Sequence, residues 1–278
     1  MAAEKCILNF SGGTDSTCVA ALLTERFQEI HLLTFFEEGT KNSPAPLANV
    51  ERLQKHFPKT KFIHSLLSTD KLVRAISYRR YFTRLQRHGF FQLATPGFSS
   101  LSWQLRAIVY AKQHGIQHIA DGLTRELMQF PGHRDEVIAE FRKLHASFGL
   151  QYENPVREWP VPRDQQFLDR LIVDRHGFVL DEENDLQRAA RTTGEYLYKI
   201  GLFPHPNVKG SQFDREMQHD CYPFVLYNLF VFWLYLPFHT EEQFSERLRS
   251  LFSELCEDFG SLLSDHLDNR PGPFEKWL

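Results

Sequence analysis

Apolar residues fall in short runs separated by stretches in which they recur every three or four positions, and this rhythm predicts alternating strands and helices. Cys6 to Phe10 reads as a first strand, and a helical pattern follows from Thr17 to Phe27. Ile30 to Phe35 reads as a second strand, Leu47 to His56 as a helix and Thr60 to His64 as a third strand. A basic helical segment is expected from Thr69 to about Arg87 and another helix from Leu101 to Gln113. Ile116 to Ala120 then forms a short strand ending in Asp121-Gly122, and Tyr152 to Val156 is a candidate last strand. Such alternation points to an α/β fold, a doubly wound parallel sheet with helices on both faces. Ligands in such folds sit at the carboxyl ends of the strands.

Beyond about residue 165 the pattern becomes helical and aromatic, broken by Gly201, Pro204, Pro206 and Gly210. We therefore expect a nucleotide-binding domain over 1–164 and a mostly helical region over 165–278 packed on it. Tyr222 to Phe238 is nearly all apolar but contains Asn228 and ends at Pro237, just under transmembrane length, so a buried helix is expected rather than a membrane contact. Asp181 to Asp185 reads as a solvated acidic run.

The segment Ser11-Gly12-Gly13-Thr14-Asp15-Ser16 lies where the first strand meets its helix. Glycines there allow positive φ and close approach of backbone to a ligand, while N–H groups and the helix dipole converge on an anion. Ser11, Thr14 and Ser16 add hydroxyl groups. Asp15 would repel phosphate unless a cation, a substrate amine or a structural donor stands between them, which makes it a candidate Mg²⁺ ligand. The plainer alternative is a strand-to-helix turn that Ser11 and Asp15 cap. No lysine lies between Lys5 and Lys41, so this is not the Walker loop of NTPases. Two further segments fall at strand ends: Thr34-Phe35-Phe36, and Asp121-Gly122 with Leu123-Thr124.

The net charge of -3 describes an ordinary globular chain. No basic stretch precedes an apolar one near residue 1, so a cytoplasmic location is expected. The four cysteines, Cys6, Cys18, Cys221 and Cys256, show no paired spacing and read mostly as buried thiols; Cys221, after His219-Asp220, is the one whose reactivity could be tuned. His133, His205 and His219 match no zinc pattern. Charge distribution says more than net charge. No acid occurs between Lys71 and Ala120, while Arg74, Arg79, Arg80, Arg84 and Arg87 crowd the first part of that window. Two readings stand: the arginines support triphosphate or pair with acids elsewhere, or Tyr78 to Arg84 grips RNA.

The loop from Ser11 to Ser16 resembles the Ser-Gly-Gly-x-Asp-Ser pyrophosphate loop of the PP-loop ATP pyrophosphatases, whose members include GMP, NAD, argininosuccinate and asparagine synthetases and tRNA-thiolating enzymes. Phe130-Pro131-Gly132-His133-Arg134-Asp135-Glu136-Val137-Ile138-Ala139-Glu140-Phe141 is similar to Tyr-Pro-Asp-Cys-Arg-Pro-Glu-Phe-Ile-Glu-Ala-Phe of the 7-cyano-7-deazaguanine synthases. The resemblance covers about residues 5 to 160. It departs from that family in lacking the four-cysteine zinc site, in having Pro96 to Ser100 where an Arg-Asn pair stands, and in Gly132-His133 for Asp-Cys.

The resemblance implies ATP and Mg²⁺ as cofactors and cleavage between the α and β phosphates, with AMP transferred to a substrate oxygen. Ser11, Gly12, Gly13, Thr14, Asp15 and Ser16 would hold pyrophosphate, Asp15 and Ser16 acting in catalysis and Asp15 on the metal. Thr34, Phe35 and Phe36 would edge the adenine, and Asp121 and Gly122 the ribose or substrate. Arg134 is the candidate substrate contact, its fork suiting oxyanions, or else an exposed arginine at a helix start. A small-molecule substrate is expected, with no membrane partner and with a homo-oligomer or tRNA as further candidate partners. The rival readings are a tRNA-thiolating enzyme and a non-catalytic nucleotide-binding module.

Overall fold

The computed structural model describes residues 4–38, 45–125, 130–160, 192–209, 211–217 and 225–278. The expectations for Asp181 to Asp185, His219, Asp220, Cys221, Gly210 and Pro162-Arg163 fall outside them.

Five parallel strands form one sheet in the order β3-β2-β1-β4-β5, with β1 Lys5–Asn9, β2 Glu29–Phe36, β3 Lys61–Ser68, β4 His118–Asp121 and β5 Gln151–Glu153. Helices α1 Thr14–Leu23, α2 Leu47–His56, α3 Asp70–Tyr78, α4 Tyr81–His88, α5 Thr95–His114 and α6 Asp135–Ser147 link and cover the strands. Past residue 191 come α7 Thr193–Lys199, α8 Gln212–Glu216, α9 Val225–Leu229 and the long α10 Glu241–Leu267. The chain leaves β1 in one direction for β2 and later crosses to its other side for β4, so Asn9 pairs with Asp121 at the switch point.

Side chains alternate across the strands, and the sequence sorts them accordingly. Ile7, Leu33 and Ile119 face a core built with α5, α6 and α10, where Phe98, Phe141 and Phe252 are fully buried. Cys6, Leu8, Leu32 and Ala120 face the opposite core, shared with α1, α2 and Leu197, Phe203, Val208 and Met217. The described C-terminal elements therefore pack on both faces of the sheet. Cys6, Cys18 and Cys256 are buried free thiols, and burial pushes the Cys6 thiol up to about 12.

Three elements differ from the sequence expectation. The basic segment is two helices, because Arg80 adopts a left-handed backbone (φ 54) and turns the chain. α5 begins at Thr95, six residues early: Pro96 sits in its first turn, where the missing N–H has no helical partner to lose. In the apolar stretch ending at Pro237, Phe230 and Val231 are buried, but Trp233, Leu234 and Phe238 are exposed, so a buried helix describes only half of it. No described helix is long and apolar enough to cross a membrane.

Candidate functional site

The loop between β1 and α1 is built around one strained position. Gly12 has φ +81, and a Cβ there would meet the Met217 carbonyl and lie 2.7 Å from the Pro46 Cα. Gly13 differs from the expectation: its extended backbone (φ -71, ψ 173) is open to any residue. Ser11 and Ser16 bring their hydroxyl oxygens within 3.2 Å of each other at the mouth of α1, and the Ser16 hydroxyl also donates to the Gly13 carbonyl at 3.1 Å. Asn49 of α2 fixes the loop from beneath, donating to the Gly12 carbonyl at 2.6 Å and to the Thr17 hydroxyl at 3.1 Å. Backbone curvature, hydroxyl groups and the N-terminus of a ten-residue helix meet at this turn, the arrangement that an anion cradle requires.

The loop does not stand alone. Residues from the far end of the sequence close over it: the Thr193 hydroxyl donates to Asp15 Oδ1 at 2.6 Å, and Lys209 Nζ lies 2.7 Å from Asp15 Oδ2. Asp214, itself buried, accepts from the Thr14 N–H at 3.1 Å and from the Thr14 hydroxyl at 2.6 Å. The donor and the cation that a carboxylate beside phosphates requires are thus both present. Sequence reasoning missed Lys209, Thr193 and Asp214, since roughly 180 to 200 positions separate them from the loop and no motif marks them. The one available signal was the need of Asp15 for a counter-charge.

The β4 end supplies the second wall. Asp121 is buried; Tyr152 and the Asn154 side-chain amide, the latter at 2.6 Å, donate to its carboxylate together with the Leu123 N–H at 3.1 Å. Burial raises its carboxyl pKa, against the pull of those donors. This tie shapes the turn that presses Gly122 onto α1, where a Cβ would stand 2.7 Å from the Ser16 amide nitrogen. Only glycine allows that approach. Asp121 is therefore a brace for the site wall, and Gly122 is the residue beside the loop.

Thr34 and Phe35 are buried side chains. The Thr34 hydroxyl donates to the Phe10 carbonyl at 2.7 Å and meets His64 Nε2 at 2.8 Å, while Phe35 stacks on Trp103 with ring centres 6.2 Å apart. Of the three expected adenine neighbours only Phe36 is partly exposed.

Arg134 is neither exposed nor open to substrate. Its guanidinium donates to Glu136 at 2.5 Å, to Glu241, and to the Ser245 hydroxyl at 2.8 Å, and it lies 4.8 Å from the Phe244 ring centre. It ties α6 to α10. Arg157, unmarked in the sequence, donates to the Thr124 and His133 carbonyls, each at 2.6 Å, and so fixes the turn after β4 to the start of α6. His133 sits in that knot, and burial with the nearby Arg157 charge lowers its pKa to about 4. Among the described residues no three His, Cys, Asp or Glu side chains gather as a metal site.

No curated protein matches the chain. One solved structure that matches is described as a predicted subunit of tRNA methyltransferase from Methanocaldococcus jannaschii, at 18% identity over 74% of this chain and 91% of that one, with a TM-score of 0.36. Residues 5–158, more than half of the chain and the whole of the sheet with its glycine loop, match the family model described as Queuosine biosynthesis protein QueC, and the chain belongs to that PP-loop, ATP-using family.

Proposed function

We propose that the protein adenylates a carbonyl or carboxylate oxygen of a small purine-like or carboxylate substrate, releasing pyrophosphate, after which a nitrogen or sulfur nucleophile displaces AMP. The observation that carries this reading is the Gly12 turn, with the Ser11 and Ser16 hydroxyls and the α1 N-terminus gathered at one point. That turn is too short, and too poor in lysine, for the β–γ chemistry of a Walker loop.

The residues fit ATP and Mg²⁺. Curved backbone, two hydroxyls and a helix N-terminus suit a polyphosphate, and Asp15 offers the carboxylate that a hard cation takes. Bound there, ATP would supply the adenylyl group, and Mg²⁺ held by Asp15 would offset the charge of the departing pyrophosphate. The chain's own part is electrostatic and positional. Ser11 and Ser16 would donate to phosphate oxygens, the Asp15 and Ser16 N–H groups, beyond the Thr14 N–H that Asp214 takes, would face the developing charge, and the Asp121 network holds Gly122 against α1.

Separating the nucleotide products by chromatography, with candidate purine-like and carboxylate acceptors present, tests the reading. AMP and pyrophosphate in equal amounts are expected. ADP as the main product would place cleavage at the wrong bond, and ATP binding with no turnover under any acceptor would favour a non-catalytic nucleotide module.

A further inference from the structure

An exposed apolar surface gathers around residues 229–238, none of which belongs to the glycine-loop site. Phe230–Tyr235 is a π-helical turn, and the Leu236 N–H that closes it donates to the Val231 carbonyl, five residues back, at 2.9 Å. Such turns are rare and are kept mostly at functional positions. This one turns Trp233 and Leu234 to solvent, with Leu229 exposed before it and Phe238 after it, and the exposed Phe90 ring lies 5.7 Å from Phe230. Among the described residues, Trp233 and Phe238 stack on no other ring.

At roughly 200 Å² for each large side chain, Phe90, Leu229, Trp233, Leu234 and Phe238, 40% to 79% exposed, present about 600 Å² of apolar surface. The largest apolar patch of a monomer is about 300–600 Å², and a stable interface takes about 800 Å² from each partner around an apolar centre. The patch is the size of one such centre. Beside it lies a cleft of about 770 Å³, walled by Phe90, Phe91, Phe230 and Tyr235 and rimmed by Arg87 and Arg247. One surface thus carries both projecting rings and an apolar recess that can receive rings. A two-fold interface needs that combination, because the same patch must serve as both partners.

The charges at the cleft favour the same partner. Arg87 is taken by Glu254 at 2.6 Å, whereas Glu246 and Arg247, adjacent and exposed on α10, make no ion pair among the described residues. A partner of a single sign would repel one of the two. A second copy turned about a two-fold axis sets its Arg247 beside Glu246 and its Glu246 beside Arg247, so both are matched. We propose that residues 229–238 and the cleft between Phe90 and α10 form a homodimer interface, each copy seating Trp233 in the cleft of the other. Apart from Arg87, Phe90 and Phe91, the surface lies past residue 158, outside the part of the chain that matches the family model.

The test is sedimentation equilibrium of the full chain from nanomolar to tens of micromolar, with circular dichroism confirming that each variant folds. Wild type should dimerise. Trp233→Glu puts a charge at the centre of the interface and should weaken the dimer about 30-fold or more. Glu246→Arg and Arg247→Glu each set like charges together twice and should weaken it about 3- to 10-fold, while the double variant Glu246→Arg/Arg247→Glu should return to within about threefold of wild type. A wild type monomeric at every concentration would overturn the proposal and leave the face to a different protein. A dimer untouched by Trp233→Glu would place the interface elsewhere, and a double variant as weak as the single reversals would rule out the two-fold pairing.

Discussion

The glycine loop at residues 11–16 and the arginine-rich helices at residues 79–87 are the two stretches that stand out in the sequence, and the fold treats them in opposite ways. The loop gathers backbone and hydroxyl donors at the carboxyl end of β1, and its aspartate is countered by a lysine from the C-terminal region. The arginines are consumed by two acids of α10. Arg84 is fully buried, with Nη2 2.8 Å from Asp258 and Nη1 donating to the Ile76 carbonyl at 3.0 Å, while Arg79 and Arg80 lie 3.7 and 3.3 Å from the same aspartate. Arg87 and His88 share Glu254 at 2.6 and 3.0 Å. A window of sequence without acids is therefore not a basic surface when its counter-charges return from about 170 residues away. Of the two readings open for this zone, pairing with acids elsewhere in the fold accounts for these contacts.

That contrast can be broken at several points. The largest stability effect is expected at Arg84. Replacing it by Met removes a buried cation from the half-buried Asp258 and Glu254 and from the Ile76 and Arg79 carbonyls, and should cost about 3–5 kcal/mol in urea unfolding, with ATP affinity unchanged. A loss of ATP binding in the folded variant would make the arginine cluster part of the site after all. A smaller effect belongs to the wall beside the loop, where His145 stacks on Tyr152 with ring centres 4.5 Å apart and its Nδ1–H donates to the Phe141 carbonyl at 2.8 Å. Burial lowers its pKa from 6.5 to about 4, so between those values the unfolded chain takes up a proton that the folded one refuses. Stability should fall as pH drops from about 6.5 to 4, by at most about 3 kcal/mol from this group, and level off below. His145→Gln should flatten that slope in melting curves recorded against pH; an unaltered slope would assign it to other groups. The smallest effect is expected for Arg80 and Arg87, whose side chains are 56% and 62% exposed. Alanine at both should cost about 1 kcal/mol or less. If these residues hold RNA, the double variant would instead flatten the salt dependence of tRNA binding by about 0.7 in log-log slope for each phosphate no longer neutralised.

Much of the sheet was legible because its strands are short apolar runs and its helices carry period-3.6 faces; α2 spans the same residues in sequence pattern and structure. The glycine loop was legible because its chemistry is local. What escaped depends on distant contacts. The break at Arg80 is set by the reach of three arginines to Asp258, which no window of sequence contains. Arg134 looked available for substrate because its partners Glu241 and Ser245 lie more than a hundred residues on. Thr34 and Phe35 stood at the right strand end but are covered on opposite faces of the sheet, because both faces of β2 are packed, and an unbroken apolar run does not show where that packing ends. Lys209 and Asp214 follow a stretch whose pattern carries no hint of the loop they meet.

The central claim is that the Gly12 turn, and not the arginine cluster, is the anion-binding site. It is tested most directly by titrating Mg²⁺-pyrophosphate into wild type, Gly12→Val and the Arg80→Ala/Arg87→Ala double variant, with folding of each checked by circular dichroism. A side chain at φ +81 and against Met217 and Pro46 should remove binding from Gly12→Val, a loss of about a hundredfold or more, while the double variant binds within about twofold of wild type. A folded Gly12→Val protein that binds pyrophosphate as wild type does, or a double variant that loses it, would contradict the account.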